Sequence, residues 1–236
     1  GRYHVMVTNA GGGYSRWKNI ALTRWREDST CDNWGTFCYI RDIENNASWS
    51  ASFQPSLKEG DNYEAVFSQG RAEFRRRDLL LETHTEIVVS PEDDIELRRV
   101  HITNRSRKKR TIVVTSYAEV VLAVPISDEV HPAFSNLFIQ TELNEQRNAI
   151  ICTRRARSDN ENNPWMFHLM KVHDADIKNV SYETDRGIFI GRGNDIHSPD
   201  AINQASTLSG SNGSVLDPIV SIQYKIVLEP YESATI

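Results

Sequence analysis

Apolar and polar residues alternate with a period of two along much of this chain of 236 residues. The clearest case is the run 220–228, in which Val220, Ile222 and Tyr224 alternate with Ser221 and Gln223. Because successive side chains of a strand point to opposite faces, this pattern predicts strands with one buried face. The other runs of this kind are 3–8, 37–40, 63–67, 79–89, 95–102, 111–121, 137–141 and 149–153.

Two local features add to this pattern. The run 95–102 changes parity between Leu97 and Val100, which predicts a β-bulge if both halves face one core. Helical periodicity is scarce, and its best example is a short helix that begins at Pro199 and is capped by Ser198. Many strands, few helices and no alternation of strands with helices predict a large antiparallel all-β sandwich, with residues 1–236 as a single domain.

Charge and composition are typical of a soluble globular protein. There are 27 Lys and Arg residues against 32 Asp and Glu residues, a net charge of -5, and 39% of the residues are apolar. This acidic balance argues against a nucleic-acid binder, and no stretch has the pattern of a membrane span or a signal peptide. The three cysteines, Cys31, Cys38 and Cys152, are too few for a disulfide scaffold or a zinc site, so we expect buried thiols in a cytoplasmic protein.

The segment 9–35 differs from the rest of the chain because it holds three of the five tryptophans, interleaved with arginines and carboxylates. This composition is typical of a sugar site, where an aromatic ring stacks on the pyranose and charged groups bond to its hydroxyls. The alternative is an interface or a buried ion-pair cluster under a loop, which composition alone favours. The candidate carbohydrate or interdomain contacts are Tyr14, Ser15, Trp17, Arg24, Trp25, Arg26, Asp28, Asp32 and Trp34.

Two motifs in this segment allow more than one interpretation. Asp28 and Asp32 could act as a catalytic carboxylate pair, but salt bridges to Arg24 and Arg26 are the favoured alternative. The glycines at 11–13 could hold an anion with backbone amides, but no phosphate-binding motif follows them. We therefore expect a tight loop there.

Other motifs favour structural roles. The seven histidines show no standard metal-ligand spacing, so we expect ordinary core or surface residues. The basic run 105–110 predicts a solvated hairpin loop, and the glycines at 191 and 193 predict a hairpin turn. The aromatic segment 131–138 predicts a loop that caps the sandwich or contacts a neighbouring domain.

Longer runs carry a resemblance to a known family. The runs GRYHVMVTNAGGGYSRW at 1–17 and TRWRED at 23–28 resemble the amino-terminal β-sandwich domain of glycoside hydrolase family 94, formerly glycosyltransferase family 36. The branch they most resemble is that of cyclic β-1,2-glucan synthases and 1,2-β-oligoglucan phosphorylases. Further matching motifs are WG at 34–35, YIRD at 39–42, WS at 49–50, QP at 54–55, TSYAE at 115–119, HPAF at 131–134, YETDR at 182–186, GRG at 191–193 and LDP at 216–218.

The resemblance implies a supersandwich similar to galactose mutarotase, and it implies where the chemistry lies. In this family an (α/α)6 barrel carries the general acid and the phosphate site, and no part of this chain resembles that barrel. We therefore expect a non-catalytic domain, excised from a larger enzyme, with no catalytic residue, metal or cofactor of its own. Inorganic phosphate would be a substrate of the parent, whose anchoring in the inner membrane through other domains is left open.

The resemblance also implies partners. They are the (α/α)6 catalytic domain of the parent and a β-glucan oligosaccharide, with a homodimer as one option. From the acidic charge balance and the lack of a long apolar stretch, we expect no nucleic-acid or membrane contact. Two other functions stay open: an autonomous carbohydrate-binding module, and an aldose epimerase, since epimerases of similar fold use histidines and a glutamate.

Overall fold

The computed structural model describes residues 2–156, 163–204 and 207–236, and strands dominate it. No helix in these ranges is long and apolar enough to cross a bilayer. The helices in the described ranges are short: α1 Pro125–Val130, α2 Pro132–Asn136, α3 Arg186–Ile190 and α4 Asp200–Asn203. The strands there are β1 Tyr3–Val7, β2 Gly13–Trp17, β3 Ile20–Thr23, β4 Thr36–Asp42, β5 Ala47–Ser50, β6 Asn62–Ser68, β7 Arg71–Asp78, β8 Leu81–Val89, β9 Glu96–Asn104, β10 Arg110–Ala123, β11 Ile139–Asn144, β12 Ala149–Arg154, β13 Met166–Leu169, β14 Asp176–Asp185, β15 Pro218–Leu228 and β16 Ser233–Thr235.

The strands of the described ranges form three antiparallel sheets. The largest has the order β1-β2-β3-β10-β15-β14, and β4 also pairs with β10 and carries β5 on its other edge. The second sheet has the order β16-β9-β8-β7-β6, and the third has the order β11-β12-β13. The predicted all-β sandwich is confirmed, and the small third sheet is an addition that the sequence did not indicate.

Strand β10 organises the large sheet. Its 14 residues are almost all buried, as expected for a central strand rich in β-branched residues. One edge of β10 pairs with β15, and the other pairs first with β4 and then with β3. The pairing with β3 contains a register shift between Val120 and Ala123. The single long strand therefore joins the sandwich core to the end of the molecule where β1, β2 and β3 lie.

The largest hydrophobic cluster among the described residues lies between the three sheets. Ile112 and Ile222 of the large sheet, Leu81 and Ile102 of the five-stranded sheet and Ile150 of the small sheet are each at most 1% exposed and belong to one packed cluster. Burying such side chains contributes about 1.5–3 kcal/mol each relative to exposure. The third sheet therefore shares the core of the sandwich.

Three local predictions need correction. The register between β8 and β9 is continuous, so the predicted bulge is wrong: Leu97 is 57% exposed and faces outward, whereas Val100 faces the core. The basic run 105–110 connects two different sheets instead of closing a hairpin, because β9 and β10 are not paired. The glycines at 191 and 193 lie between α3 and α4, so they form no hairpin turn either.

The predicted short helix is present as α4, one residue later than expected. Pro199 occupies its N-cap, and the Ser198 hydroxyl makes no capping bond. That hydroxyl instead accepts a hydrogen bond from the Asn203 side chain at 2.8 Å.

Candidate functional site

Strand β2 separates the predicted contact residues onto two faces. Ser15 and Trp17 face the beginning of β9. The Ser15 hydroxyl donates to Glu96, and Trp17 Nε1 donates at 2.6 Å to Asp94 in the loop before that strand. Tyr14 lies on the opposite, outer face, because neighbouring residues of a strand alternate. Ser15 and Trp17 therefore brace β2 against the second sheet, and Tyr14 is available at the surface.

The outer face of β2 carries an aromatic pair. The rings of Tyr14 and Trp25 make an edge-to-face contact with their centroids 5.5 Å apart, and the guanidinium carbon of Arg16 lies 4.1 Å from the Tyr14 centroid. Arg16 Nε is buried and has no hydrogen-bond partner among the described residues. We call Tyr14, Arg16 and Trp25 the aromatic surface.

This surface is not a formed sugar pocket. The depression beside it, between Trp25, Arg26 and Pro125, has a volume of about 10 Å³, which is smaller than a sugar ring. A carbohydrate in contact with Trp25 would therefore lie across the surface.

Arg24 belongs to a buried ion-pair cluster directly beneath this surface. Its guanidinium group donates to Glu119 at 2.6 Å, to Asp128 at 3.1 Å, to Asn136 at 2.8 Å and to Asp217 at 3.3 Å. Arg24 is 7% exposed, Glu119 is 3% exposed and Asp128 is 1% exposed. We call the whole group the Arg24 cluster, with the members Arg24, Arg26, Glu119, Asp128, Asn136, Arg186 and Asp217.

The charges of the Arg24 cluster balance, with three arginines and three carboxylates. Arg26 pairs with Asp128 at 2.7 Å, and Arg186 pairs with Glu119 at 2.8 Å. Burial disfavours the charged form of Arg24, but the attraction of Glu119 and Asp128 outweighs this and raises its pKa above the usual range. Arg24 therefore stays protonated, and the cluster joins the chain after β3 to β10, α1, α2, α3 and the chain before β15.

The helix pair α1–α2 covers the Arg24 cluster and exposes apolar side chains on its other side. Asp128 and Asn136 point into the cluster, whereas Ile126 is 60% exposed and Val130 is 56% exposed. Phe134 is 55% exposed and packs edge-to-face against Phe138. The segment 131–138 is thus mainly helical, and we call Ile126, Val130, Phe134 and Leu137 the α1–α2 surface.

The other predicted contact residues, Asp28, Asp32 and Trp34, stabilise the loop between β3 and β4. The Asp28 carboxylate accepts bonds from the backbone and the hydroxyl of Thr30, which lower its pKa, and Asp32 accepts a bond from Thr8. Neither carboxylate pairs with Arg24 or Arg26, so the predicted salt bridges are wrong, and the two are engaged with different residues. The backbone carbonyl of Trp34 accepts a bond from Gly13 at 2.7 Å.

The glycines at 11–13 form the tight loop that was predicted. Thr8 bonds through its backbone to Gly11 and Gly12, and a Cβ atom on Gly12 would lie 2.1 Å from the Asp32 carboxylate. The close approach of this loop to the 28–35 segment therefore requires glycine.

The three cysteines meet the prediction of buried thiols to different degrees, since Cys152 is buried and Cys38 is partly buried. Burial raises the pKa of Cys152 to about 12, and it also raises the pKa of Cys38 to about 12. Cys31 is exposed in the loop between β3 and β4, so the prediction of a buried thiol is wrong there.

Comparison with known proteins identifies the family. Residues 1–236 match the family model described as Glycosyl hydrolase 94, supersandwich domain. The chain belongs to this family. The match covers the strands of all three sheets as well as the Arg24 cluster and the aromatic surface.

Curated relatives of this supersandwich domain include a synthase and several phosphorylases. The domain is 37% identical, over 94% of its length, to the cyclic beta-(1,2)-glucan synthase NdvB of Rhizobium meliloti (strain 1021), and it covers 8% of that protein. It is 26% identical, over 96% of its length, to an N,N'-diacetylchitobiose phosphorylase of Vibrio furnissii, and it covers 29% of that protein. A 3-O-beta-D-glucopyranosyl-beta-D-glucuronide phosphorylase of Paenibacillus borealis is 25% identical over 98% of the domain, which covers 28% of it. The supersandwich domain thus spans less than a third of each of these relatives.

The supersandwich domain has a second charged cluster that the sequence pattern did not predict. Glu73, His84 and Glu86 meet on the outer face of the five-stranded sheet, with ligand atoms within 4.8 Å of one another. The bond from His84 lowers the pKa of Glu73, and the bond from Arg99 lowers the pKa of Glu86. Arg71 also pairs with both carboxylates, so a metal ion would have to displace arginines, and we interpret the cluster as a ladder of ion pairs.

Proposed function

We propose that this supersandwich domain is a non-catalytic, structural and carbohydrate-contacting part of a β-glucan-active glycoside phosphorylase or glycosyltransferase of the cyclic β-1,2-glucan synthase type. The names of the relatives support a glucan as the substrate of the parent, because a cyclic β-(1,2)-glucan synthase shares 37% of the aligned residues. The small share of each relative that the domain covers supports a setting within a larger enzyme.

The observation that carries this proposal is the Arg24 cluster. Seven polar side chains at the end of the sandwich hold the Trp25 loop and α1–α2 in place from below. An apolar helix surface that is fixed by buried ion pairs, yet left open to solvent, suits a contact with another domain. The α1–α2 surface would accordingly pack against the (α/α)6 catalytic domain, and the aromatic surface would border the bound glucan.

The chemistry of the cluster favours a scaffold over a catalyst. An inverting glycosidic cleavage needs a carboxylic acid that carries a proton at neutral pH. Each carboxylate of the Arg24 cluster lies within 3.3 Å of an arginine and is engaged in that ion pair, as expected for a structural role. We therefore assign general-acid catalysis and the use of inorganic phosphate to the catalytic domain of the parent, in the cytoplasm, and we propose no metal or cofactor for this domain.

The proposal is tested in the enzyme that carries this domain. Trp25→Ala removes a ring that can stack on a sugar, which should lower kcat/KM on β-1,2-glucan by about two- to ten-fold. Ile126→Ser should weaken the contact between the domains and raise their rate of limited proteolysis. Trp165→Ala is the matched control, because Trp165 is 65% exposed but lies next to β13, and it should leave kcat/KM unchanged. Kinetics and proteolysis that match the wild type in both test variants would refute the proposal.

A self-sufficient carbohydrate-binding module is the second candidate, favoured by the surface position of the Tyr14–Trp25 pair. Calorimetric titration of β-1,2-glucooligosaccharides into this chain alone separates the two functions. Saturable binding that Trp25→Ala abolishes would favour the module. Absence of binding by the isolated chain, with a kinetic effect of Trp25→Ala in the parent enzyme, would favour the interdomain role.

A further inference from the structure

A cavity of about 100 Å³ lies in the space between the sheets, away from the aromatic surface. It is enclosed by β4 and β10 of the large sheet, by β7, β8 and β9 of the five-stranded sheet, and by β13 along one side. Leu169 lines the cavity and is 59% exposed, so the cavity approaches the protein surface beside β13. An apolar cavity of about 150 Å³ can bind benzene, so this one has room for about four or five carbon atoms.

The walls of the cavity are mostly apolar and come from three sheets. Phe37, Phe74, Ile87, Val100 and Met170 line it, and each is 7% exposed or less. A ligand in contact with these side chains would be removed from water and would pack against all three layers of the sandwich. The walls therefore favour an aliphatic body.

One polar atom at the cavity has no protein partner among the described residues. The Thr85 hydroxyl is buried and makes no hydrogen bond, although its side chain lines the cavity. His168, which also lines the cavity, is already engaged through Nε2 with the Ser116 hydroxyl at 2.8 Å. A buried hydroxyl without a partner is costly, so Thr85 favours an occupant that can donate or accept a hydrogen bond.

The charged side chain in the wall is already engaged. Arg98 pairs with Glu96 and also donates to the backbone carbonyl of Thr36 at 2.8 Å. The His168 ring is neutral at pH 7, because burial lowers its pKa to about 4. An ionic ligand would therefore have no charged group in the cavity to pair with. A neutral ligand would lose little hydration free energy on entering the cavity.

We propose that this cavity is a binding site for a small neutral molecule with an aliphatic body of about four or five carbon atoms and one hydroxyl group. The body packs between Phe37, Ile87 and Met170, and the hydroxyl bonds to Thr85. The ligand class is that of short-chain alcohols. The site is separate from the glucan-contacting surface and does not depend on the proposed function.

Butan-1-ol is the probe for this site. We expect saturable NMR shifts of the Ile87, Val100 and Met170 methyl groups when it is titrated into the purified chain. For a ligand of this size the dissociation constant should lie in the millimolar range. Shifts that grow without saturation, or that occur only at surface methyl groups, would overturn the site, and so would a cavity that holds water alone.

Two threonines on β8 provide a matched pair of variants. Thr83 and Thr85 both have buried hydroxyls without a partner, but only Thr85 lines the cavity. Thr85→Val should weaken butan-1-ol binding by about two- to ten-fold, as expected for one lost hydrogen bond, while Thr83→Val should leave it unchanged. Neither variant loses a hydrogen bond within the fold, so both should stay folded. Equal binding by all three proteins would overturn the role of Thr85.

Discussion

Arg24→Met tests whether the Arg24 cluster holds the end of the sandwich together. The substitution keeps an unbranched side chain but removes the charge that faces Glu119 and Asp128, which are 3% and 1% exposed. Removing one partner of a buried ion pair costs about 3–5 kcal/mol, because the other charge stays buried without compensation. Arg186 still pairs with Glu119 and Arg26 still pairs with Asp128, so we expect the lower end of this range, about 3 kcal/mol.

The assay is equilibrium unfolding in urea followed by tryptophan fluorescence. A loss of about 3 kcal/mol should appear as a lower midpoint with an unchanged m-value, and the melting temperature should fall by roughly 6–12 °C in a domain of this size. Amide hydrogen exchange in α1 should also accelerate, because Asp128 anchors that helix to Arg24. These two readouts separate a general loss of stability from a local release of α1–α2.

Arg105→Met is the matched control for this experiment. Arg105 pairs with Glu82 at 2.7 Å, but the two side chains are 54% and 41% exposed, and such surface pairs contribute about 0–1 kcal/mol. The double variant Arg24→Met with Glu119→Gln should recover part of the loss, since it removes one of the buried charges left behind. If Arg24→Met costs no more than Arg105→Met, the Arg24 cluster does not hold this end of the domain.

Three further predictions concern other parts of the fold. Gly13→Ala should destabilise the domain by about 3 kcal/mol in urea unfolding, because its Cβ would lie 1.9 Å from the Met6 carbonyl oxygen. Gly193 also has a positive φ, +79° against +149° at Gly13, but it has open space around it, so Gly193→Ala should cost only about 1 kcal/mol; equal losses would contradict the steric reasoning. Burial lowers the pKa of His168 to about 4, so its contribution to stability is complete above about pH 6.5 and is lost as the pH falls towards 4. His168→Gln should therefore reduce the pH dependence of the free energy of unfolding between pH 6.5 and pH 4, to which His168 contributes up to about 3 kcal/mol. An unchanged pH dependence in the variant would show that another group is responsible. Ile126→Ser should change the free energy of unfolding by no more than about 0.5 kcal/mol, because Ile126 is 60% exposed, and a larger loss in urea would mean that its side chain packs within the domain.

Strands with a strong period of two were predictable from the sequence. The run 220–228 lies within β15, and the run 111–121 lies within β10. Strand β7 was missed, although it alternates as well, because its inward face carries a buried ion pair between Arg76 and Asp78 at 2.7 Å. Hydrophobic periodicity detects only the burial of apolar residues, and this strand buries charges.

The predicted bulge in 95–102 is absent because the pattern there includes an apolar residue that is exposed, whereas β7 has charged residues that are buried. A leucine on an outward face contributes to the pattern as strongly as a leucine in the core, and Leu97 is 57% exposed. Alternation along β9 is regular once Leu97 is assigned to the outer face together with Arg99 and His101, which are also exposed. Which face of a strand is buried depends on the neighbouring sheet, so a single leucine in one strand does not decide it.

For the candidate site, the segment could be predicted from the sequence but its interaction partners could not. The tryptophans and arginines of 9–35 marked the right segment, and composition favoured a buried ion-pair cluster, which Arg24 forms. Its partners could not be named, because Glu119, Asp128 and Asp217 lie 95, 104 and 193 positions away in the sequence. Asp28, only four positions from Arg24, bonds to Thr30 instead.

Local backbone geometry explains what the sequence alone determined. Side chains alternate with a period of two wherever a strand forms, and glycine is required wherever two loops approach closely, so the all-β class, most long strands and the loop at 11–13 could be inferred from short windows. The pairing of distant strands decided the rest. It placed Ser15 and Trp17 inward and Tyr14 outward, brought three carboxylates from distant segments to Arg24, and left a cavity between the sheets beside Thr85. Such contacts depend on strand register and on the packing of whole sheets, which no short segment encodes.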